Sequence, residues 1–179
     1  MKVKMSLSPT SVNKAIEQIK EYQKELNEKT EEFIVKLAEI GIPVIDQQMS
    51  LASFTVDSKG IMSGSDTSYV IDHIKIERHG LVNRAILAVK GEDLMFIEFG
   101  AGVKYNGPAG QSPHPIGKEI GYTIGSFGNG HGKQNTWGYI EDGKLILTHG
   151  TKATMPVYSA SLKIANEVET VARRVFKAL

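Results

Sequence analysis

The sequence predicts an α+β fold: an antiparallel β-sheet meander packed against a long N-terminal helix and a C-terminal helix, with a long glycine-rich loop. Two observations predict it. Glycine is absent from the first 40 residues and from the 29 residues after Gly150, whereas 13 of the 18 glycines lie from Gly100 to Gly150. Between the helical ends, apolar and polar residues alternate as they do in half-buried strands. Because glycine weakens helices and permits positive φ, helix is expected at both ends and irregular backbone between them.

The first element is a long helix over residues 9–40. Ser8 followed by Pro9 suits an N-cap and the first helical position, and Gly41 and Pro43 are expected to end the helix. Its apolar seam fits a sheet, the C-terminal helix or a neighbouring subunit, and packing within the same chain is the favoured interpretation. The seam contains Val12, Ile16, Ile19, Leu26, Phe33, Leu37 and Ile40.

The sheet is predicted over residues 52–99 and 144–149. Short turns separate consecutive β-type runs, which favours an antiparallel meander over parallel crossovers. The runs are Ser53–Val56, Tyr69–Glu77, Val82–Val89, Leu94–Phe99 and Lys144–Thr148.

The chain ends in a predicted helix over residues 157–178, which follows the glycine-rich loop of residues 100–143. The length of 179 residues fits a single domain, residues 1–179. The expected inner stripe of the last helix is Tyr158, Leu162, Ala165, Val168, Ala172, Val175 and Leu179.

Composition narrows the classes of function. The absence of cysteine excludes thiol catalysis, cysteine-ligated zinc and disulfides. Lys and Arg total 21 against 20 Asp and Glu, so charge gives no case for a dedicated binder of nucleic acid or anionic membrane. No apolar run approaches the roughly 20 residues of a membrane span, and the first residues lack a signal-peptide core. We therefore expect a protein of the cytoplasm or of an assembled particle, without membrane contact.

No motif predicts catalysis or cofactor binding. The run from Gly125 to Lys133 resembles a phosphate loop, but Phe127 replaces a required glycine and Gln134 replaces the magnesium-binding Ser or Thr. The five histidines lack the helical spacing of a zinc pair. We accordingly predict no catalytic residue, no metal and no cofactor. A hydrolase that uses His131 or His149 with Glu98 stays open as an alternative.

Glu98 is the most unusual charge, because it lies in a run whose strand faces are both apolar. A buried carboxylate costs several kcal/mol unless it is paired or hydrogen-bonded. Two interpretations stay open. Glu98 lies at a sheet edge with its carboxylate in water, or it orders the loop that begins at Gly100 through backbone N–H groups or His149.

The glycine-rich loop carries several aromatic residues: Tyr122, Phe127, Tyr139 and Trp137, the single tryptophan. Aromatic side chains are unfavourable in water, so they fold back on the core or are buried against a partner. Internal packing is the favoured interpretation for Trp137. The loop as a whole is the best candidate for contact with other molecules, and a small-molecule or carbohydrate-binding module is the alternative.

Six short motifs occur in an order that resembles a family of phage tail components. This family is found in long-tailed phages and defective prophages of Gram-positive bacteria and is related to the tail-completion protein called minor tail protein Z. The motifs are Phe-Ile-Glu-Phe-Gly-Ala-Gly (96–102), His-Pro (114–115), Gly-Tyr (121–122), Trp-Gly-Tyr (137–139), Thr-His-Gly (148–150) and Met-Pro-Val-Tyr-Ser-Ala (155–160).

The resemblance implies a structural virion protein of the tail or neck that acts without chemistry and assembles in the host cytoplasm. It implies a multi-copy ring, a hexamer, that contacts neck, tail-terminator or tail-tube proteins and surrounds passing DNA without reading its sequence. A ring uses heterologous contacts between unlike faces. The candidate subunit-interface or loop-ordering residues are Glu98, Phe99, Gly100, Tyr122, Phe127, Trp137, Tyr139 and His149.

Overall fold

The protein has the α+β fold that the sequence predicts. The computed structural model describes residue 6 and residues 8–79, 82–124 and 134–177. The first element is a 42-residue helix and the last a 21-residue helix, with strands of two to ten residues and two short helices between them. The elements are α1 (Pro9–Ser50), β1 (Thr55–Val56), β2 (Met62–Ser63), β3 (Val70–His79), β4 (Val82–Lys90), α2 (Leu94–Phe99), α3 (Val103–Asn106), β5 (Trp137–Glu141), β6 (Lys144–Thr148) and α4 (Pro156–Phe176).

Helix α1 continues past Gly41 and Pro43 to Ser50, so the predicted end at residue 40 is wrong. The added turns have a buried face: Gly41 is buried, and Ile45 and Met49 are each only 1% exposed. Burying each of these two side chains contributes about 1.5–3 kcal/mol. That gain offsets the roughly 3 kcal/mol that proline costs in a helix interior relative to alanine.

The strands form two sheets instead of one meander. Strands β3 and β4 pair in one sheet, and the other has the order β1-β2-β6-β5. Within the larger sheet, β1–β2 and β5–β6 are antiparallel, whereas β2 and β6 are parallel. In a meander, each strand pairs with its neighbour in the sequence. Here β6 returns from far along the chain to pair with β2.

Residues 94–99 form helix α2, where the sequence predicts a strand. The N–H groups of Phe96 and Ile97 both bond to the carbonyl oxygen of Asp93, which starts the helical turn. Ile97, Glu98 and Phe99 are consecutive and all buried, unlike the alternating residues of a half-buried strand. A short run that is apolar on both faces does not distinguish a buried strand from a buried helix.

The segment of residues 100–143 is not irregular throughout, since it contains α3 and β5. Strand β5 pairs with β6 across a two-residue turn, in which Asp142 has φ 48° and Gly143 has φ 74°. Asp-Gly is a preferred sequence for this tight hairpin turn. The Asp-Gly pair therefore predicts this hairpin from the sequence. The high glycine content of the segment instead favours irregular backbone.

The chain divides into two compact units. In the first, Phe33 and Phe176 pack with ring centroids 5.7 Å apart. The prediction of one domain is not tested by this division and stays a prediction. The first unit contains Met1–Ile40, His73–Leu87 and Ile164–Leu179; the second contains Gly41–Asp72 and Ala88–Lys163.

The predicted apolar stripes differ from the buried faces. On α1, the seam residues Ile16, Ile19 and Leu26 are exposed. On α4, Leu162 and Val168 are exposed as well. The predicted stripes follow the spacing of apolar residues alone, whereas most of the apolar residues that the two helices bury are alanine or valine. The buried apolar residues of the two helices are Ala15, Ala38, Ile45, Met49, Ala160, Val171 and Val175. Among the described residues, no helix has the length and apolarity that a membrane crossing requires.

We expect Pro43→Ala to raise the free energy of unfolding by about 1–3 kcal/mol, measured by urea denaturation, because alanine restores the helical hydrogen bond at an exposed position. Pro9→Ala is the matched control, and it should give no such gain because Pro9 occupies the first helical position, where proline is favoured. Equal effects of the two changes would contradict an uninterrupted α1.

Candidate functional site

Glu98 is the buried carboxylate around which the second compact unit is organised. It lies on α2 with a residue exposure of 6%. Its Oε2 accepts the N–H of Val157 at 2.8 Å, and its Oε1 accepts the N–H of Tyr158 at 2.9 Å. The carboxylate therefore occupies the N-terminus of α4.

The need for this cap follows from how α4 begins. The first N–H groups of a helix have no partner within the helix. Such groups are ordinarily bonded by a Ser, Thr, Asp or Asn side chain just before the helix. Here the preceding residue is Met155, which has φ 55° and no such side chain. Glu98 supplies the missing acceptor from another element, and its negative charge lies at the favourable end of the helix dipole.

His114 completes the bonding of the carboxylate. Its Nε2 lies 3.0 Å from Oε1 of Glu98, and its Nδ1 accepts the backbone N–H of Ile116 at 3.2 Å. Because Nδ1 accepts, the ring proton lies on Nε2, which donates to Glu98. The His114 side chain is 3% exposed. A neutral histidine and two backbone amides thus stabilise one buried anion.

Aromatic rings surround this pair. The His114 ring lies 4.6 Å from the Phe99 ring and 5.0 Å from that of Tyr158, and Phe99 lies 4.8 Å from Tyr122, centroid to centroid. These rings exclude water from the Glu98 cap. Burial raises the pKa of Tyr122 to about 12, because the phenolate would lose its hydration.

Of the two interpretations of Glu98, the sheet-edge one is wrong. The carboxylate is buried, and it binds backbone N–H groups as the other interpretation expects. Those amides belong to α4, however, and the histidine is His114 instead of His149. The contact with His114 does lie inside the segment of residues 100–143. Its role in ordering the rest of that segment stays a prediction.

A second buried polar group, Asn106, connects the glycine-rich turn to the chain before α4. Its Nδ2 donates to the carbonyl oxygens of Gly102 at 3.0 Å and Thr151 at 2.7 Å. Its Oδ1 accepts the N–H of Ala153 at 2.8 Å. Gly100 has φ 85°, and a β-carbon there would lie 2.6 Å from the Asn106 side chain, so only glycine fits.

His149 belongs to a different cluster. Its Nδ1 lies 2.8 Å from the carbonyl oxygen of Asn135 and 3.1 Å from Oγ1 of Thr136, and its Nε2 lies 3.2 Å from Oδ2 of Asp57. A carbonyl oxygen only accepts, so Nδ1 carries a proton and donates it to Asn135. Through its two ring nitrogens, His149 thus connects the end of β6 to Asp57, which follows β1, and to Asn135 and Thr136, which precede β5.

Asp57 is ionised by its local bonding. Its Oδ1 accepts the N–H groups of Ile61 and Lys59, each at 2.9 Å. The N–H of Ile61 and then the contact with His149 lower the pKa of Asp57 from 3.8 to about 2, although burial opposes the shift.

The β5–β6 hairpin has two unlike faces. On one face, Ile140 is 76% exposed, Leu145 68% and Leu147 44%. These side chains lie around Gly138, where a β-carbon would be 2.9 Å from Leu145 and 3.3 Å from Leu147. We call Gly138, Ile140, Leu145 and Leu147 the outer patch.

The opposite face carries Trp137 and Tyr139, whose rings lie 5.8 Å apart. Trp137 is 43% exposed, so the interpretation that it packs inside the chain is wrong. Both rings line a cavity of about 640 Å³, which we call the groove. Its lining residues are Phe54, Met62, Gly64, Ser65, Asp66, Glu92, Asp93, Phe96, Ala101, Trp137, Tyr139, Glu141, Thr148, Gly150 and Thr151.

The structure thus separates the predicted candidates into groups. Glu98, Phe99 and Tyr122 lie in or beside the cap, and Gly100 contacts Asn106. Trp137 and Tyr139 line the groove, whereas His149 contacts Asp57. Phe127 and His131 lie outside the described residues.

The sequence analysis does not predict the roles of three residues in these clusters: Asn106, His114 as the partner of Glu98, and Asp57. For Asp57 a signal exists, because Asp followed by Ser-Lys-Gly is typical of a turn closed by the aspartate side chain. For the other two, long-range contacts decide their roles. Within the described part of the chain, no group of three His, Asp or Glu side chains could hold a metal ion.

Comparison with known proteins adds no relative: no protein family, no curated protein and no solved structure matches the chain. The resemblance to phage tail components therefore depends on the order of its motifs alone.

Replacing Glu98 with Gln should lower the free energy of unfolding by about 2–4 kcal/mol, because the amide NH2 would face a buried donor and the anion is lost. Urea denaturation measures the loss, and hydrogen exchange at the amides of Val157 and Tyr158 locates it. Glu119→Gln, at an exposed position, is the matched control and should change stability by less than about 0.5 kcal/mol. Unchanged exchange at both amides would contradict the cap.

Asp57 should make the free energy of unfolding depend on pH in the acid range. A carboxyl group whose pKa is lower in the folded state stabilises the fold above its unfolded pKa of 3.8 and loses that contribution as the pH falls toward about 2. The stability difference between the native chain and Asp57→Asn should therefore be largest above pH 3.8 and shrink below it. Urea midpoints measured across this range test the prediction, and a constant difference would refute it.

Proposed function

We propose that the protein is a structural virion component of a phage or phage-derived particle, active in tail completion or in the neck. In this proposal it forms a multi-copy ring, a hexamer, and contacts neck, tail-terminator or tail-tube proteins around the DNA path. The motif order that resembles phage tail components supports the class of protein. The outer patch is the single observation that carries the proposed mode of action.

Contact of the outer patch with another chain should be energetically favourable. Ile140 and Leu145 are more than two-thirds exposed, and they lie side by side because they are directly paired in the hairpin. Burying a large apolar side chain contributes about 1.5–3 kcal/mol. Strand β5 also lies at an edge of the four-stranded sheet. An apolar face on an edge strand is suited to contact with another chain.

A ring places such a surface against an unlike face of the next copy. The cluster around His149 suits this role, since it fixes the end of β6, beside Leu147 of the outer patch, to Asn135 and Asp57. Glu98 and Asn106 add support by fixing the chain that follows β6, through Val157 and Tyr158 and through Thr151 and Ala153. A rigid support lowers the entropy that association must overcome.

The hydrolase alternative has less support. A general base needs a free ring nitrogen directed at the nucleophile. In the cluster of His149, the hydroxyl of Thr136 lies near Nδ1, but that nitrogen donates its proton to the carbonyl oxygen of Asn135. Glu98 is bonded to α4 and His114. The geometry of His149 and of Glu98 therefore favours a structural role over a catalytic one.

The decisive experiment changes the outer patch while keeping the strand. Lysine is tolerated on edge strands and opposes apolar contact, so Ile140→Lys with Leu145→Lys should abolish ring formation and co-sedimentation with tail particles. The stability of the isolated chain should change by no more than about 1 kcal/mol. Assembly is measured by analytical ultracentrifugation in the presence of the neck and tail proteins encoded beside its gene.

The matched control is Ile120→Lys, because Ile120 is 54% exposed and lies outside the hairpin. It should assemble as the unchanged chain does. A double variant that still forms rings would refute the role of the outer patch. Two results together would refute the proposed class of protein. They are the absence of portal, capsid and tail-tube genes beside the gene for this protein, and no affinity of the purified protein for tail particles.

A further inference from the structure

We infer that the groove binds a basic peptide segment of a partner protein, with a lysine or arginine side chain held over its aromatic residues and between its carboxylates. This inference goes beyond the proposed function, because it concerns the face of the hairpin opposite the outer patch and holds whether or not the chain forms a ring.

Charge is the first argument. The described residues that line the groove include Asp66, Glu92, Asp93 and Glu141, and none of the lining residues is Lys, Arg or His. The whole chain carries a net charge of +1, so this concentration of negative charge is local. A concave surface of one sign focuses the electrostatic field and favours ligands of the opposite sign.

Two of the four carboxylates, those of Asp66 and Asp93, are held in place by backbone N–H groups. Asp93 accepts the backbone N–H of Asp66 at 2.9 Å, which joins the two acidic turns. Asp66 in turn accepts the N–H of Ser68 at 2.8 Å, and bonds from Ser68 lower its pKa. Burial, followed by the charges of Glu141 and Asp93, raises the pKa of Tyr139.

Aromatic residues are the second argument. Trp137 and Tyr139 lie together on the β5 face, and Phe54 and Phe96 also line the groove while about half exposed. A cation is attracted to the faces of such rings, most strongly to tryptophan. Acidic groups beside aromatic faces are the combination that recognises an ammonium or guanidinium group carried on an apolar stem.

The size of the groove admits a peptide segment, since sites of roughly 300–1,000 Å³ hold ligands much larger than one side chain. The volume of about 640 Å³ lies within that range. The chain itself is almost charge-balanced, with 21 Lys and Arg against 20 Asp and Glu, so a separate basic segment matches the acidic groove better than a second copy of the chain does.

The single tryptophan provides the measurement, because Trp137 lines the groove. The isolated full chain is titrated with a lysine- and arginine-rich octapeptide while its tryptophan fluorescence is followed. We expect saturable binding that weakens at least about tenfold as salt rises from about 0.05 M to about 0.5 M. A glutamate-rich octapeptide should produce no saturable change.

Variants assign the binding to the groove. Glu92→Gln with Glu141→Gln removes two exposed charges and should weaken binding roughly tenfold. Tyr139→Leu keeps apolar area but removes a ring face, and should weaken binding about two- to fivefold. Glu119→Gln lies outside the groove and should leave binding unchanged. Equal binding by all variants would overturn the inference.

Other occupants give different results. Saturation by a disaccharide such as cellobiose, without a response to the basic peptide, would overturn the inference in favour of a carbohydrate site. Salt-sensitive self-association that the peptide reverses and the Glu92/Glu141 variant abolishes would identify a second copy as the occupant, and would also overturn it. Because the outer-patch variant keeps the groove intact, it should bind the peptide normally, which separates this test from that of the proposed function.

Discussion

The second compact unit depends on one buried carboxylate, that of Glu98, whose charge is balanced by hydrogen-bond donors. Removing a carboxylate from water costs several kcal/mol, and only good partners offset that loss. Glu98 has three: the first free amides of α4 and the ring of His114. Each partner comes from a different part of the sequence from Glu98. The single carboxylate therefore specifies where α2, the turn at His114 and the beginning of α4 lie, and the rings of Phe99 and Tyr158 can pack because of it.

Much of the fold follows from local sequence. Ser8-Pro9 marks the start of α1, and the β-type run at Lys144–Thr148 and the glycine-free C-terminal region give β6 and α4. These signals act through neighbouring residues, so they can be recognised without the fold. The Asp142–Gly143 turn is of the same kind, but the surrounding glycines hide it.

The errors have one physical origin, which is that tertiary burial outweighs local preference. Gly41 and Pro43 disfavour helix, yet Gly41, Ile45 and Met49 are buried on one face of α1 while Pro43 lies exposed, so the helix continues. The run from Leu94 to Phe99 suits a strand or a helix, and as helix α2 it places the Glu98 carboxylate at the first N–H groups of α4. The site follows the same rule: the sequence indicates that Glu98 is unusual but does not reveal that His114, rather than His149, contacts it.

The bridge between Ala101 and Thr151 has a consequence for how such a chain can diversify. Two backbone bonds, of 2.9 and 2.8 Å, join these residues, and Gly150 beside them lies so close that a β-carbon would be 2.0 Å from the Ala101 oxygen. The chain between them therefore leaves and returns at one fixed point of the backbone. Each doubling of the length of such a loop costs only about 0.6 kcal/mol in closure entropy. Insertions between the two residues should therefore cost little stability, whereas any side chain at position 150 would collide with the backbone of Ala101.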